Sequence, residues 1–144
     1  MSQVISIVPR SAKPLMVLAT GDHLNGPLAE VYSADYRVAQ TVALTDDVEA
    51  VVTAERPDII VLSRYLPGHR PVSDLLPAVR KAVPTARVAL IVGPLDDEAR
   101  QLIGEGAQYG IYNVLVGEQF TADVLQSLVD HDGQWADIAA YLPD

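Results

Sequence analysis

Short apolar runs punctuate the chain. Four stand out, at 15–19, 59–62, 88–92 and 111–116. Runs of this length, rich in β-branched residues and bounded by Gly, Pro or Asp, predict strands covered on both faces. A fifth run, 36–43, is more mixed: Arg37, Gln40 and Thr41 interrupt Val38, Ala39 and Val42. That pattern suits an edge strand with one wetter side. The intervening segments carry helical period. Asp46 followed by Glu49 marks a helix start, with Val48, Val51 and Val52 on one face. Asp96 and Asp97 open a helix whose Ala99, Leu102 and Ile103 share a face, and Gly104 and Gly106 predict its end. Thr121 is placed to cap a helix bearing Val124, Leu125, Leu128 and Val129. Proline is accepted in the first helical turn but not deeper, so Pro77 predicts a helix capped by Asp74 and beginning near Leu75. Residues 24–34 read as a helix with Gly26 and Pro27 near its start.

Strand and helix therefore alternate five times. Parallel strands need crossovers, and right-handed βα crossovers place helices on both faces of a sheet. The expected fold is a flavodoxin-like, doubly wound five-stranded parallel sheet of order 2-1-3-4-5, in which the second strand is an edge. Residues 14–131 carry the alternation. Residues 1–13, with Val4-Ile5-Ser6-Ile7-Val8, form a tail or a short extra strand. In 132–144, Trp135, Ile138, Ala139 and Leu142 recur at i, i+3, i+4 and i+7. That spacing predicts one more amphipathic helix, packed back on the domain and leading to a linker.

Composition narrows the function classes. The 144 residues are the size of one domain, 49% hydrophobic, with a formal charge of −9. A surface so acidic repels phosphate backbones and argues against nucleic-acid binding. Without cysteine there is neither a disulfide framework nor a thiolate metal site. No apolar run approaches a membrane span, and 1–13 lacks the apolar stretch of a signal peptide, so a cytoplasmic location is expected. Only Lys13 and Lys81 are lysines.

Around the third strand the chain reads Arg56-Pro57-Asp58-Ile59-Ile60-Val61-Leu62-Ser63-Arg64-Tyr65-Leu66-Pro67-Gly68. This resembles the phosphoacceptor stretch of response-regulator receiver domains: Pro-Asp, a buried strand, the acceptor Asp, then Pro-Gly. Gly106-Ala107 likewise resembles the Gly-Ala before the receivers' last strand, and the resemblance spans residues 14–131. It implies a Mg²⁺ held by two acidic residues after the first strand together with the acceptor Asp. It also implies a Thr or Ser after the fourth strand and a Lys after the fifth, both on the phosphoryl oxygens. Here Thr20-Gly21-Asp22 offers one carboxylate, Ser63 replaces the acceptor, Val92-Gly93 supplies no hydroxyl, and Gly117 follows the fifth strand where lysine is needed. Ser63 with Asp22, Val92, Gly93 and Gly117 thus reads as a degenerate phosphorylation pocket. A structural serine is favoured at Ser63 over a kinase target. The third strand and the Trp-Ala-Asp-Ile-Ala-Ala-Tyr-Leu-Pro tail resemble atypical receivers N-terminal to MinD/ParA-like ATPases of the TadZ/CpaE type. That likeness implies localisation or pilus-secretion assembly through protein contacts. No Walker motif occurs in these residues.

Other chemistries fit less well. Cobalamin modules of similar fold carry Asp-x-His-x-x-Gly, whereas Asp22-His23-Leu24-Asn25-Gly26 has the histidine one residue early, and Ser63-Arg64-Tyr65 mismatches their Ser-x-Leu. A signalling receiver with atypical phosphorylation is the other alternative. His23, His69 and His131 lack metal-ligand spacing, no Gly-x-Ser-x-Gly elbow occurs, and Asp96-Asp97-Glu98 suits a helix start. No enzyme activity and no cofactor is expected. The implied partner is a protein or an attached ATPase domain. The receiver face of fourth helix, fifth strand and fifth helix offers a homodimer surface near Arg100, Gln108, Tyr109, Tyr112 and Gln126. Arg64 and Tyr65, beside the lost pocket, offer a second.

Overall fold

A computed structural model describes residues 13–142; the Val4-Ile5-Ser6-Ile7-Val8 segment lies outside them. Strand and helix alternate as β1 (Leu15–Ala19), α1 (Asp22–Tyr32), β2 (Arg37–Thr41), α2 (Thr45–Glu55), β3 (Ile59–Ser63) and α3 (Val72–Ala82). They continue as β4 (Arg87–Gly93), α4 (Asp97–Ala107), β5 (Asn113–Val116) and α5 (Ala122–Val129), ending in the short α6 (Trp135–Ile138) and a 3₁₀ turn, Ala139–Tyr141. All four strand pairings are parallel, in the order β2-β1-β3-β4-β5. This is the flavodoxin-like sheet that the alternation predicts. Among the described residues no helix is long and apolar enough to cross a membrane.

Strand side chains alternate between two apolar layers. On one face Met16, Leu18, Ile59, Val61, Ala89 and Ile91 pack with Leu28 and Tyr32 of α1 and with Leu125 and Val129 of α5. On the other, Val17, Ile60, Leu62, Leu90 and Val92 pack with Val48, Leu76, Val79 and Ile103 of α2, α3 and α4. The central strands are apolar at every position but their ends, because both of their faces are covered. The β2 edge, with Arg37, Gln40 and Thr41 exposed, is not. Burial raises the pKa of the Tyr32 hydroxyl, which donates to the Leu125 carbonyl at 2.8 Å and so ties α1 to α5.

Several boundaries differ from expectation. α3 starts at Val72 with Pro71 at its N-cap, so Asp74 lies in the first turn and does not cap it, and Pro77 sits inside the helix. Complete burial of Leu75, Leu76 and Val79 outweighs the hydrogen bond Pro77 cannot make. α4 runs through Gly104 and Gly106. Gly106 serves close packing here: a Cβ there would lie 3.3 Å from Leu90 Cδ1 and 3.5 Å from Ile111 Cβ. Residue 111 precedes β5, which begins at Asn113. The helix expected to open at Asp96-Asp97 is capped by Asp96, which accepts from the Ala99 amide at 2.8 Å, and the expected cap at Thr121 is present, accepting from the Val124 amide at 3.3 Å.

The C-terminal segment is shorter and less amphipathic than its spacing suggests. Only Ile138 of the expected stripe is buried, 1% exposed within the α2–α4 layer, whereas Trp135 is 55% exposed. The indole instead meets the Tyr112 ring edge-on at 6.3 Å. Asn113 anchors the approach, donating to the Leu128 and His131 carbonyls at 2.9 and 2.8 Å and accepting from the Gly133 amide at 3.0 Å. Ile138→Ala should lower unfolding free energy by about 2–4 kcal/mol, the range for emptying a buried aliphatic site. Trp135→Ala should cost about 1 kcal/mol or less, since it loses a half-exposed aromatic contact. Equilibrium urea denaturation of both variants checks the ordering.

Candidate functional site

In a parallel sheet of this order the βα loops gather at the carboxyl ends of the strands, where ligands of such folds bind. Ser63 ends β3 there with no exposed surface. Its Oγ accepts the Tyr65 amide at 3.1 Å, which turns the chain back on itself. Thr20, the residue after β1, is equally committed. Its amide and hydroxyl both donate to Asn25 Oδ1, at 3.1 and 2.5 Å, while Asn25 Nδ2 donates to the Val42 carbonyl at 2.9 Å. One buried asparagine therefore holds the loops after β1 and β2 together.

Two glycines are roofed by side chains from the loop after β3. Gly93 ends β4 with φ +69°, and a Cβ there would lie 2.8 Å from Tyr65 Oη and 2.9 Å from Tyr65 Cε2. The Tyr65 ring thus takes the space a side chain on β4 would need. Gly21, with φ +87°, faces Pro67 Cδ at 3.7 Å from its would-be Cβ. At β5 the Gly117 amide donates to the Gly93 carbonyl at 2.7 Å, closing the fourth and fifth strand ends on each other.

Arg64 fastens this roof. Its side chain is only 7% exposed and forks onto Asp96, with Nη2 3.1 Å from Oδ2, while Nη2 also donates to the Tyr65 hydroxyl. The guanidinium carbon lies 4.6 Å from the Tyr65 ring centroid, a cation–π contact. Hydrogen bonding from Arg64 and from the Ala99 amide lowers the Asp96 pKa to about 2, and the same bond raises that of Arg64. A second tie runs from α2: Asp46 accepts the His69 and Arg70 amides at 3.2 and 3.3 Å, and those bonds lower its pKa.

The residues singled out by sequence are only partly assembled. Ser63, Gly93 and Gly117 meet at neighbouring strand ends, through the Ser63–Ile91 pairing and the Gly117–Gly93 hydrogen bond. Val92 points into the α2–α4 core, and Asp22 is exposed as the first residue of α1 beside the exposed His23. A hard divalent cation takes about six oxygen ligands, with carboxylates among them. The residues present do not fit one: Ser63 and Thr20 are committed internally, and the described residues hold no group of three or more His, Cys, Asp or Glu able to bind a metal. Tyr112 is engaged by Trp135, and Arg100 reaches the Tyr141 carbonyl at 3.4 Å. Gln126 turns to the Val31 carbonyl of α1, and Tyr109 stays 37% exposed. Sequence reading missed Asn25 and the Arg64–Asp96 pair. Thr20 and Asn25 are five residues apart with no motif, and Arg64 and Asp96 are separated by 32 residues.

The fold has many solved counterparts. A LuxR-family DNA-binding response regulator from Staphylococcus aureus is 12% identical, with 81% of this chain and 96% of that one covered at TM-score 0.68. The signal receiver domain of NarL from Mycobacterium tuberculosis is 19% identical over 83% and 95%, at TM-score 0.66. A Burkholderia pseudomallei response regulator with a phosphorylated aspartic acid is 16% identical over 89% and 70%, at 0.66. The chain has the receiver fold. In sequence it matches no family model and no curated relative.

Two outcomes follow from this geometry. Asp96 is depressed when folded, so its pairing stabilises the native state above the usual carboxylate pKa of about 4 and is lost as pH falls toward about 2. Asp96→Asn should remove that acid-dependent component, seen as a flatter decline of melting temperature between about pH 4 and 2. Ser63→Asp places a carboxylate at a position without exposed surface and should destabilise by about 2–4 kcal/mol, against about 1 kcal/mol for Ser63→Ala. Chemical denaturation at neutral pH separates the two.

Proposed function

We propose that this chain is a receiver-like protein-interaction domain that works without aspartyl phosphorylation and without enzymatic activity. The observation that carries the reading is the roofed strand edge: Ser63 is buried at the acceptor position, and the Tyr65 ring occupies the space beside Gly93. The Burkholderia pseudomallei counterpart has a phosphorylated aspartic acid; this chain has a serine whose oxygen is held by its own loop. Phosphorylation of Ser63 by a kinase would require the loop to open first, because the residue presents no surface.

The finer assignment rests on the β3 stretch and the Trp135–Leu142 tail. Their likeness to atypical receivers beside MinD/ParA-like ATPases supports a cytoplasmic role in regulating or positioning such an ATPase during pilus-secretion assembly. The partner is then an attached or separate ATPase domain. Docking would be controlled by contact rather than by a phosphoryl switch, so the domain would be constitutively competent.

Titration of the ¹⁵N-labelled domain with Mg²⁺ and beryllofluoride tests the phosphorylation-independent reading. The expected outcome is no saturable amide shift around Ser63, Gly93 or Gly117. A saturable response localised to those residues would overturn it.

A further inference from the structure

Three of the five exposed large hydrophobic side chains among the described residues lie on the carboxyl edge of the sheet: Leu44 (43% exposed), Tyr65 (57%) and Phe120 (38%). The backbone joins them into one crest. The Thr45 amide donates to the Pro67 carbonyl at 2.8 Å, setting Leu44 beside the exposed Pro67. Tyr65, two residues before Pro67, leans over Gly93, and the Gly117–Gly93 hydrogen bond brings the loop carrying Phe120 to its far side. Five strands at about 4.8 Å spacing make this edge roughly 19 Å long, enough for a few side chains of a partner. Exposed large apolar side chains gathered along one edge of this length are the composition of a binding surface.

Charge is distributed just as unevenly. Parallel βα units put every helix N-terminus of α1 to α5 at this same edge. Asp22, Asp46, Asp47, Asp74, Asp97, Glu98 and Asp123 all fall in first turns. Each helix dipole offsets only about half a charge, so the acids exceed what the helices need. Arg64 and Arg70, in the loop after β3, are already paired with Asp96 and Glu49. Asp22, Asp47, Asp97, Glu118 and Asp123 are exposed and make no ion pair among the described residues.

We infer that this crest is the docking surface of the domain, and that its partner is a basic protein surface bearing apolar side chains. The inference deepens the proposed function and rests on its view that the edge is released from phosphoryl chemistry. Charge selects the occupant. Two copies meeting through this edge would set acid against acid, a like-charge juxtaposition that costs affinity. Phosphate backbones and anionic lipid surfaces are repelled in the same way. A cationic segment gains from the acidic rim, which steers its approach, and from the Leu44, Tyr65 and Phe120 crest, which supplies the area it buries.

A short amphipathic helical peptide of leucine and lysine is the probe, titrated into the ¹⁵N-labelled domain, with a serine–lysine peptide of equal charge as control. Shifts should cluster in the loops after β2, β3, β4 and β5 and weaken with salt, and the control should bind at least about tenfold more weakly. Tyr65→Ser with Phe120→Ser should reduce affinity about tenfold, and Asp47→Asn with Asp123→Asn should flatten the salt dependence, both in domains with cooperative unfolding. Equal affinity for both peptides, shifts spread over other faces, unchanged binding by the folded Tyr65/Phe120 variant, or self-association abolished by that variant would each overturn the surface. A beryllofluoride response with peptide binding intact would remove the proposed function and leave the docking surface standing. The opposite pair of results would do the reverse.

Discussion

A parallel sheet buried on both faces leaves little freedom for chemistry anywhere but its edge. Each central strand has to be apolar at successive positions, because alternate side chains enter the α1/α5 layer and the α2–α4 layer. Polar side chains are then confined to the strand ends, and Ser63, Thr20 and Asn113 all sit at or beside such ends. Each is buried, and each is satisfied by a specific local partner. Burial of a hydroxyl or amide costs free energy unless its hydrogen bonds are made. Thr20 and Ser63 therefore fix where the loops after β1 and β3 leave the sheet, and Asn113 fixes where the chain enters β5. At the carboxyl edge those bonds join Ser63 to Tyr65 and Thr20 to Asn25.

Tyr65 and Gly93 form a complementary pair in this sense. A side chain at Gly93 and the ring at its observed place cannot both be accommodated, since a Cβ would approach the phenol to 2.8 Å. Arg64 then secures the ring from one side while its guanidinium forks onto Asp96, which is also the N-cap of α4. Asp96 thus performs two tasks with one carboxylate: it ends the exposed α4 amides and neutralises a largely buried cation. Loop, ring and helix are thus joined through one set of contacts, and this is the coupling the Arg64–Asp96 pair provides. A receiver that switched by moving the loop after β4 would need this coupling broken in each cycle.

The fold was legible because it is encoded by period. Alternating apolar runs and helical segments sufficed for the sheet order, the β2 edge, the helix start at Asp96-Asp97 and the cap at Thr121. What misled was proline and glycine read as punctuation. Pro77 and Gly106 sit inside helices because buried Leu75, Leu76 and Val79, and the close approach of Leu90, decide the outcome through tertiary packing. At the edge, the sequence exposed which groups a phosphorylation pocket would lack, through Ser63, Gly93 and Gly117. It did not expose what fills the space. Tyr65 over Gly93, Arg64 with Asp96, and Asn25 across to Val42 all join residues with no common motif.

The same geometry explains why an acidic protein has its acid where it does. Helix N-termini favour carboxylates, and a doubly wound parallel fold aligns α1 to α5 so that those ends share one edge. Some asymmetry of charge therefore comes with the topology. The excess does not, because Glu118 lies in a loop and α2 and α4 each carry two first-turn acids. Nor does the topology require Leu44 and Phe120 to face water beside them. Apolar exposure costs solvation free energy that a polar residue would avoid, about 25 cal/mol per Å². Acid beyond the helices' need and apolar surface beyond the core's need coincide on one edge, and that coincidence is the physical ground on which a basic, apolar partner is proposed for it.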